Sequence, residues 1–256
     1  MQNMNFFYIL IRDIIILVLI FICNFLQIGD LLMDSQNKSD FYLHSIMCLI
    51  GGFLGAYAIL SRSGNLGSAQ TSNLIYVVFC FLGHNIKEFL LHFLGVILYF
   101  AGIELYVFIS HKTNFNIQRY GIAVNMAGCI LLSFIPSSID PISGLLPIFF
   151  MMSTQWSVFH GANGYNSSTI FSTNNFRQTA LGIGEYICSK DKAHMNKAKF
   201  FANSLFWYHL GVAVSFFACK FFNIQASLLV LIPCFIALLI SYKDSITILT
   251  RKKTIA

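Results

Sequence analysis

Two short polar stretches interrupt an otherwise apolar chain, and they carry the residues best suited to bind a solute. They consist of Gln70, Thr71, Ser72 and Asn73 in the first stretch, and Ser172, Thr173, Asn174 and Asn175 in the second. Each stretch opens an apolar segment, where Ser, Thr and Asn are favoured as helix caps. A helix that begins inside a membrane would also direct its free amide N–H groups at a polar or anionic ligand. Capping at the membrane surface and solute binding are the two interpretations of this pattern.

Two further polar residues lie close to the second stretch. Gln155 lies on the preceding apolar segment, and Arg177 follows Thr173 by about one helical turn. A charge inside a membrane segment is costly and usually faces a cavity or a partner, although a long side chain can also extend to the interface. We therefore predict a substrate-binding set. Its members are Gln70, Thr71, Ser72, Asn73, Gln155, Thr173, Asn174, Asn175 and Arg177.

Motifs for covalent, phosphoryl-transfer and metal chemistry are missing from the sequence. The chain contains no phosphate-binding glycine loop, no HExxH motif and no GxSxG motif. Its seven cysteines are scattered singly, without a CxxC pair or a Cys–His spacing typical of a metal site. The sequence therefore predicts that the protein is not an enzyme and that it holds neither a metal nor a cofactor.

The composition is that of a chain embedded in a lipid bilayer. Hydrophobic residues make up 57% of the sequence and charged residues 10%, and the mean hydropathy is +0.71. A soluble domain carries about a quarter charged residues, so this chain could not cover a water-exposed surface. Much of the net charge of +6 comes from clusters beside apolar segments, in 190–199 and 243–253. Such clusters are typical of cytoplasmic loops rather than of a nucleic-acid interface.

The apolar segments divide the chain into two halves around a joint with two prolines, at 136–141. They are predicted at 41–60, 72–84, 88–110 and 118–135 in the first half, and at 142–161, 173–187, 199–221 and 224–242 in the second. An additional hydrophobic helix, predicted at 6–28, either spans the membrane or lies flat on it. The predicted organisation is an N-terminal helix with a polar linker (1–40), two membrane repeats (41–138 and 139–243) and a basic tail (244–256).

The second segment of each half is too short to cross about 30 Å of hydrocarbon comfortably. Moving the first half by 102 residues places Thr71 on Thr173 and Asn73 on Asn175. Paired short segments in corresponding positions of two halves are typical of transporter sites. We therefore predict an all-α polytopic membrane protein with two repeated halves of three to four transmembrane helices, each with a short or broken helix.

The orientation of the repeats depends on the two short segments. If they cross the membrane, each half has four crossings and the repeats are parallel. If they re-enter instead, each half has three crossings and the repeats are inverted. Both alternatives place the C-terminus in the cytoplasm, because positively charged loops favour that side.

The motifs at the polar stretches resemble those of the YoaK family, bacterial inner-membrane proteins grouped as a domain of unknown function. That family has Gly-Tyr-x-Asp-Ala followed by Gln-Thr-Gly-Asn. Here 52–56 reads Gly-Phe-Leu-Gly-Ala and 70–73 reads Gln-Thr-Ser-Asn. In the second half, the residues that resemble the family's Gln, Thr-rich break and basic residue are Gln155, Thr169, Thr173, Asn174 and Arg177. The resemblance covers 41–242.

Two departures from the family pattern bear on function. Gly55 stands where the family's acidic residue would be, and Ser72 and Asn174 replace the glycines of its Thr-Gly pairs. If the family's carboxylate couples proton movement to function, this chain has either lost that coupling or carries it on another residue. The resemblance implies a membrane protein with internal repeats and offers no settled activity.

The leading hypothesis is a small secondary transporter or permease of the bacterial cytoplasmic membrane, for a small polar or anionic solute. One alternative is a channel, in which the paired short helices line a continuous pore. Another is a non-transporting scaffold or accessory subunit, whose polar stretches are ordinary caps at the membrane surface. The sequence leaves open whether the protein forms a homodimer, and nucleic acid is not an expected partner.

Overall fold

The computed structural model describes residues 38–242, which form an almost entirely helical fold. Its α-helices are α1 (Lys38–Ser61), α2 (Gln70–Leu82), α3 (Ile86–Lys112), α4 (Ile117–Phe134), α5 (Pro141–Val158), α6 (Thr173–Ser189), α7 (Lys192–Phe222) and α8 (231–242). An antiparallel hairpin, β1 (Gly161–Ala162) and β2 (Tyr165–Asn166), follows α5, and a 3-10 helix (Asn223–Val230) joins α7 to α8. The segments predicted at 6–28 and 244–256 lie outside the described residues.

Four segments are long and apolar enough to cross a membrane: Lys38–Ser61, Ile86–Lys112, Ile117–Phe134 and Lys192–Tyr242. The last has 51 residues, about 76 Å if it were one straight helix, which is more than twice the thickness of the hydrocarbon layer. It turns at Asn223, whose left-handed φ of +52° ends α7. These segments confirm the predicted class, an all-α membrane protein.

Three predicted boundaries differ from the observed ones for local reasons. The segment predicted at 142–161 ends at Val158, because the chain turns into the hairpin, where Asn163 has a φ of +54°. The segment predicted at 224–242 begins as a 3-10 helix. Residues 38–40, predicted as linker, are the first residues of α1.

Helices α1 and α7 run in the same direction. Asn203 Nδ2 of α7 donates to Ser45 Oγ of α1 at 2.9 Å, and further along both helices Ser61 Oγ lies 4.0 Å from Cys219 Sγ. The two contacts keep the same register over about four turns. This interface is the most extensive between any two described helices.

Helix α4 also runs in the direction of α1. Near their starts, Gln118 Nε2 donates to Asp40 Oδ1 at 3.4 Å. At their ends, the guanidinium of Arg62 donates to the carbonyl oxygens of Ile135 and Pro136, at 3.0 and 2.9 Å. The cation thus lies at the C-terminus of α4, where its charge is favourable.

Helix α5 runs opposite to α1, and α3 runs alongside α5. Gln155, near the end of α5, donates to the Met47 carbonyl near the start of α1 at 2.8 Å. Two glycines of α3 allow it to pack closely on α5, since Gly95 faces Phe149 and Gly102 faces Ser153. The interface between α3 and α5 is second in extent to that between α1 and α7.

Helix α2 re-enters the fold from the end at which α1 finishes. The connection 62–69 leads inward, and α2 then returns antiparallel to α3. Asn73, in its first turn, contacts His92 about two turns into α3, whereas Cys80 near its end contacts Glu88 in the first turn of α3. The first short segment is therefore a half-helix that begins inside the fold.

Helix α6 repeats this arrangement at the opposite end. Its last turns lie beside the start of α7, where Glu185 Oε2 is 2.9 Å from His194 Nδ1. Its first turn lies deeper, because Asn175 is linked through Ser167 to Ser204, about three turns into α7. The second short segment is also a half-helix that begins inside the fold.

The close approach of the helices depends on glycines. A Cβ atom at Gly52 would stand 1.9 Å from the carbonyl oxygen of Tyr208, and one at Gly211 would stand 2.1 Å from that of Leu49. Such glycine contacts are typical of packing between membrane helices. Helix α1 is enclosed as a result: 89% of its most apolar window is buried, against at most 33% in the other three candidate spans.

We predict that Gly52→Ala lowers the free energy of unfolding by about 1–3 kcal/mol or more, because backbone atoms of α7 must move. Gly184→Ala is the matched control: nothing lies within 4 Å of its added Cβ, and alanine favours helix by up to about 1 kcal/mol. Thermal unfolding of the purified protein in detergent measures both. Equal midpoints for the two variants would contradict this packing.

Candidate functional site

The N-terminus of α2 is held by an amide–imidazole pair. Asn73 Oδ1 lies 2.7 Å from His92 Nδ1, and Asn73 Nδ2 donates to the His92 carbonyl at 3.0 Å and to Gln70 Oε1 at 3.2 Å. The Tyr76 ring stacks on the imidazole, with centroids 5.1 Å apart. Asn73 is buried and its amide atoms are engaged, so its side chain anchors α2 to α3.

The N-terminus of α6 is held by a second buried polar cluster. Asn175 Nδ2 donates to the Ser168 carbonyl at 2.8 Å, and Asn175 Oδ1 accepts from Ser167 Oγ at 3.0 Å. The same hydroxyl lies 3.1 Å from His44 Nε2 and 3.2 Å from Ser204 Oγ. The two asparagines predicted at corresponding positions are thus both buried and hydrogen-bonded. Asn73 is bonded to the helix that follows, whereas Asn175 is bonded to the break that precedes its own helix.

Gln155 joins the two halves at the centre. Its Nε2 donates to the Met47 carbonyl at 2.8 Å and to Thr169 Oγ1 at 3.2 Å. Its Oε1 accepts from Asn125 Nδ2 at 2.7 Å. All these groups are buried, and Gln155 therefore ties α1, α4, α5 and the second polar break together.

Both polar breaks approach α1 within one turn of each other. A Cβ at Gly51 would stand 2.0 Å from the Thr169 carbonyl oxygen of the second break. A Cβ at Gly55 would stand 3.0 Å from the Tyr208 hydroxyl and 3.7 Å from Leu66 of the first break. Both connections that lead to the half-helices therefore contact the second half of α1.

The half-helices differ from their neighbours in capping. The N-cap side chains of α3, α4, α5 and α7 accept a hydrogen bond from the first turn of their helix; they are Asn85, Asn116, Asp140 and Asp191. The N-cap residues of α2 and α6, Ala69 and Ser172, make no such bond. The first amide N–H groups of both half-helices therefore lack a side-chain acceptor, and capping by their own polar residues, one of the two interpretations above, does not occur here.

The remaining predicted residues lie on the outer surface of the two half-helices. Thr71, Ser72, Thr173, Asn174 and Arg177 are exposed. Within residues 38–242, Arg177 makes no ion pair or hydrogen bond. The predicted set is thus divided between three buried anchors, the partly buried Gln70 and five outward-facing residues, and the structure does not bring it together in one cavity.

A cavity of about 650 Å³ opens beside the N-terminus of α6. Its wall is mostly apolar and lies between α6 and α7, with His209 as an exposed polar member. It is lined by Ser172, Thr173, Phe176, Ala202, Leu205, Phe206, His209 and Leu210. This cavity borders the uncapped start of one half-helix, at Ser172 and Thr173.

Sequence reasoning missed two residues at the centre, Asn125 and His44. Both are single polar residues in apolar segments, and this was the only available signal. Such residues in membrane helices usually make interhelical hydrogen bonds, which is what both do here.

The fold and these clusters define an all-α membrane protein with two half-helices that begin inside the fold. The family model described as "Protein of unknown function (DUF1275)" matches residues 43–241, so the chain belongs to that family. The YoaK proteins, which the motifs resemble, fall in the same family; a closer relation to them stays a prediction. The chain has no match among curated proteins and none among solved structures.

We predict that Gln155→Met destabilises the protein, because the buried Asn125 amide and the Thr169 hydroxyl lose their partner, at about 1–3 kcal/mol for each group left unsatisfied. Gln178→Met is the control, since Gln178 makes no hydrogen bond within residues 38–242. Thermal midpoints in detergent measure the difference. An unchanged midpoint for Gln155→Met would show that the central network contributes nothing.

Proposed function

We propose that the protein is a small secondary transporter or permease for a small polar or anionic solute, which contacts the N-termini of α2 and α6. The observation that carries this proposal is the missing side-chain cap at these two helices, since the other α-helices with a described N-cap each have one. Free N–H groups and the positive end of the helix dipole attract acceptor groups of a ligand. Broken helices of this kind form the sites of many transporters.

We also propose that the two halves are inverted repeats. The offset of 102 residues relates α1 to α5, α2 to α6 and α3 to α7. The two most extensive interfaces, α1 with α7 and α5 with α3, correspond under this exchange, and both are parallel. Because α1 and α5 are antiparallel and both short helices return to the end they came from, three crossings in each half fit best.

The distribution of positive charge supports a cytoplasmic location for the start of α7. The cations at that end are Lys38, Lys112, Arg119, Lys190, Lys192, Lys197 and Lys199. Those at the opposite end are Arg62, Lys87 and Lys220. Under the positive-inside rule, this distribution favours the predicted orientation, with the first end and the C-terminus in the cytoplasm.

A transporter fits the centre better than a channel does. The middle of α1 is filled by fully buried side chains such as Met47, Ile50 and Leu54, and its glycines contact backbone atoms of neighbouring elements. A continuous water-filled pore needs an open path that this packing does not provide. Alternating access by movement of one half against the other could open each end in turn.

The inverted arrangement predicts that Lys87→Cys and Lys192→Cys, exposed first-turn positions of α3 and α7, react with a membrane-impermeant thiol reagent from opposite sides. All-crossing segments would place both on the same side. Right-side-out and inside-out vesicles, made from a variant without the native cysteines, measure this. Labelling of both from one side would overturn the inverted repeat.

The transporter hypothesis predicts that Thr71→Cys and Thr173→Cys are reached through water and that a transported solute protects them. Phe100→Cys is the control, because this exposed residue lies in the middle of α3 and should face lipid. Uptake into proteoliposomes identifies the solute, and saturable uptake separates a transporter from a channel. Labelling that no solute in a broad library slows, together with absent uptake, would favour the scaffold.

A further inference from the structure

Helix α7 carries an exposed stripe along most of its length. Its outward-facing residues follow one another at alternating intervals of four and three positions: Ala202, Phe206, His209, Ala213, Phe216 and Lys220. This spacing keeps them on one face of a helix, as in the seam of a coiled coil. The two alanines would let the backbone of another helix come close. The stripe therefore has the geometry of a helix-packing surface, and residues 38–242 leave it exposed.

His209 is the polar residue in the middle of the stripe. It lies ten residues from Lys199 and eleven from Lys220, about 15 Å from each, and so near the middle of the apolar part of α7. Its Nδ1 lies 2.8 Å from the Leu205 carbonyl oxygen, and because a carbonyl only accepts, Nδ1 carries the proton of that bond. Nε2 is the ring nitrogen left for a partner outside α7. A polar side chain at this depth usually faces another part of the protein rather than lipid.

The hydrophobic helix predicted at 6–28, outside the described residues, has a matching stripe. Its residues at the same alternating intervals are Phe6, Leu10, Asp13, Leu17, Ile20, Asn24 and Gln27. This face collects every charged or amide side chain of the predicted helix except Arg12, which lies about 100° around it. A helix that spans a membrane turns such side chains toward the protein. The stripe of the predicted helix is therefore the face that should contact the rest of the fold.

The connection to α1 determines how the two stripes align. The two contacts described above between α1 and α7 each join residues 158 apart, so Lys38 at the start of α1 is level with Asn196 of α7. In an antiparallel pair with Asp13 opposite His209, Ile28 lies within two residues of that level, about 3 Å along the axis. The nine-residue connection can reach about 30 Å, more than two helix diameters. The chain length thus fits this register.

We propose that the helix predicted at 6–28 spans the membrane antiparallel to α7 and packs on its exposed stripe, with the Asp13 carboxyl group bonded to Nε2 of His209. The carboxyl group and the imidazole then share one proton, so the pair is neutral overall whichever group holds that proton. Neutrality lowers the cost of placing both groups inside the hydrocarbon layer. The proposal does not depend on the transport of a solute.

The same docking closes the cavity between α6 and α7. Ala202, Phe206 and His209 of the stripe line this cavity, together with Thr173 and Phe176 of α6. A helix on the stripe separates the cavity from lipid and places the proton-sharing pair at its wall. The uncapped start of α6 then borders an enclosed space rather than the bilayer.

A second copy of the chain fits the stripe less well. A two-fold axis along the membrane normal would set two α7 helices parallel, with each residue of the stripe near its own counterpart. His209 would then face a second His209, and Lys220 would lie near a second Lys220. Neither residue would gain an opposite charge, whereas Asp13 offers one to His209.

Disulfide cross-linking in lipid nanodiscs tests the docking, in a full-length variant without the native cysteines. Ile20→Cys with Ala202→Cys should cross-link within one chain, because the two positions are opposite each other in the proposed register. Ile22→Cys with Ala202→Cys is the matched control, since residue 22 lies at almost the same depth on the other face of the predicted helix. A thiol-reactive mass tag, added after oxidation and denaturation, counts the cysteines that stayed free. We expect several-fold more cross-linking in the first pair.

A second comparison guards against a pair that disturbs folding. Leu10→Cys with Ala213→Cys should cross-link several-fold more than Ile11→Cys with Ala213→Cys, because residue 11 faces away from the stripe. Equal cross-linking in the test and control pairs, or none in any pair, would overturn the docking and leave the stripe to lipid. A disulfide-linked dimer would also overturn it, because the stripe would then belong to a second copy.

Thermal unfolding tests the pair of Asp13 and His209. Asp13→Leu and His209→Leu should each lower Tm by about 2–6 °C, because each leaves the other polar group without its partner. The double variant should be no less stable than either single variant. His111→Leu, at the exposed end of α3, is the control, and its effect should add to that of Asp13→Leu. Additive effects of Asp13→Leu and His209→Leu, or an unchanged Tm in both, would refute the pairing.

Discussion

The constraint on which this structure depends is that backbone polar groups inside a membrane need partners within the protein. The connections 62–69 and 159–172 both bring irregular backbone into the fold. The second break packs against Gly51, where the absence of a side chain leaves room for the Thr169 carbonyl. Gln155 donates a hydrogen bond to the Thr169 hydroxyl. At the start of the first, the buried guanidinium of Arg62 supplies donors to two carbonyls that end α4. Part of the backbone of the second break also has a partner: Asn175 Nδ2 donates to the Ser168 carbonyl, and the Ser167 amide donates to the His160 carbonyl.

Other glycines explain how the long helices pack against one another. Gly52 and Gly211 bring α1 and α7 into backbone contact, and Gly95 and Gly102 do the equivalent for α3 and α5. In lipid the hydrophobic effect does not drive helices together, so close packing of this kind is a main source of association between membrane helices. Each half-helix lies against a single long helix, α2 on α3 and α6 on α7. Its first turn is held by one of the two buried polar clusters.

The sequence predicts the class, the apolar segments and the corresponding positions of Asn73 and Asn175, because hydropathy and paired Thr-x-Asn motifs are local signals. It predicts these two asparagines as solute-binding residues, not as the buried anchors that the structure shows. It leaves open whether the short segments cross or re-enter, since the direction of each depends on contacts such as those of Asn73 with His92 and Cys80 with Glu88. Nor does it predict that Thr71 and Asn174 face outward, because several orientations of a short helix suit the same composition. Residue types that favour N-caps do not guarantee a cap either: Ser172 precedes α6, but its side chain makes no hydrogen bond to the first turn of that helix.

The two polar features at the centre make different demands on a ligand. Uncapped helix starts offer N–H donors and therefore attract an acceptor, whereas Asn125 offers an oxygen and requires a donor. Gly55 places no carboxylate beside the Tyr208 hydroxyl. Under the proposed transport function, we therefore expect a solute that carries both acceptor and donor groups, rather than a simple inorganic anion.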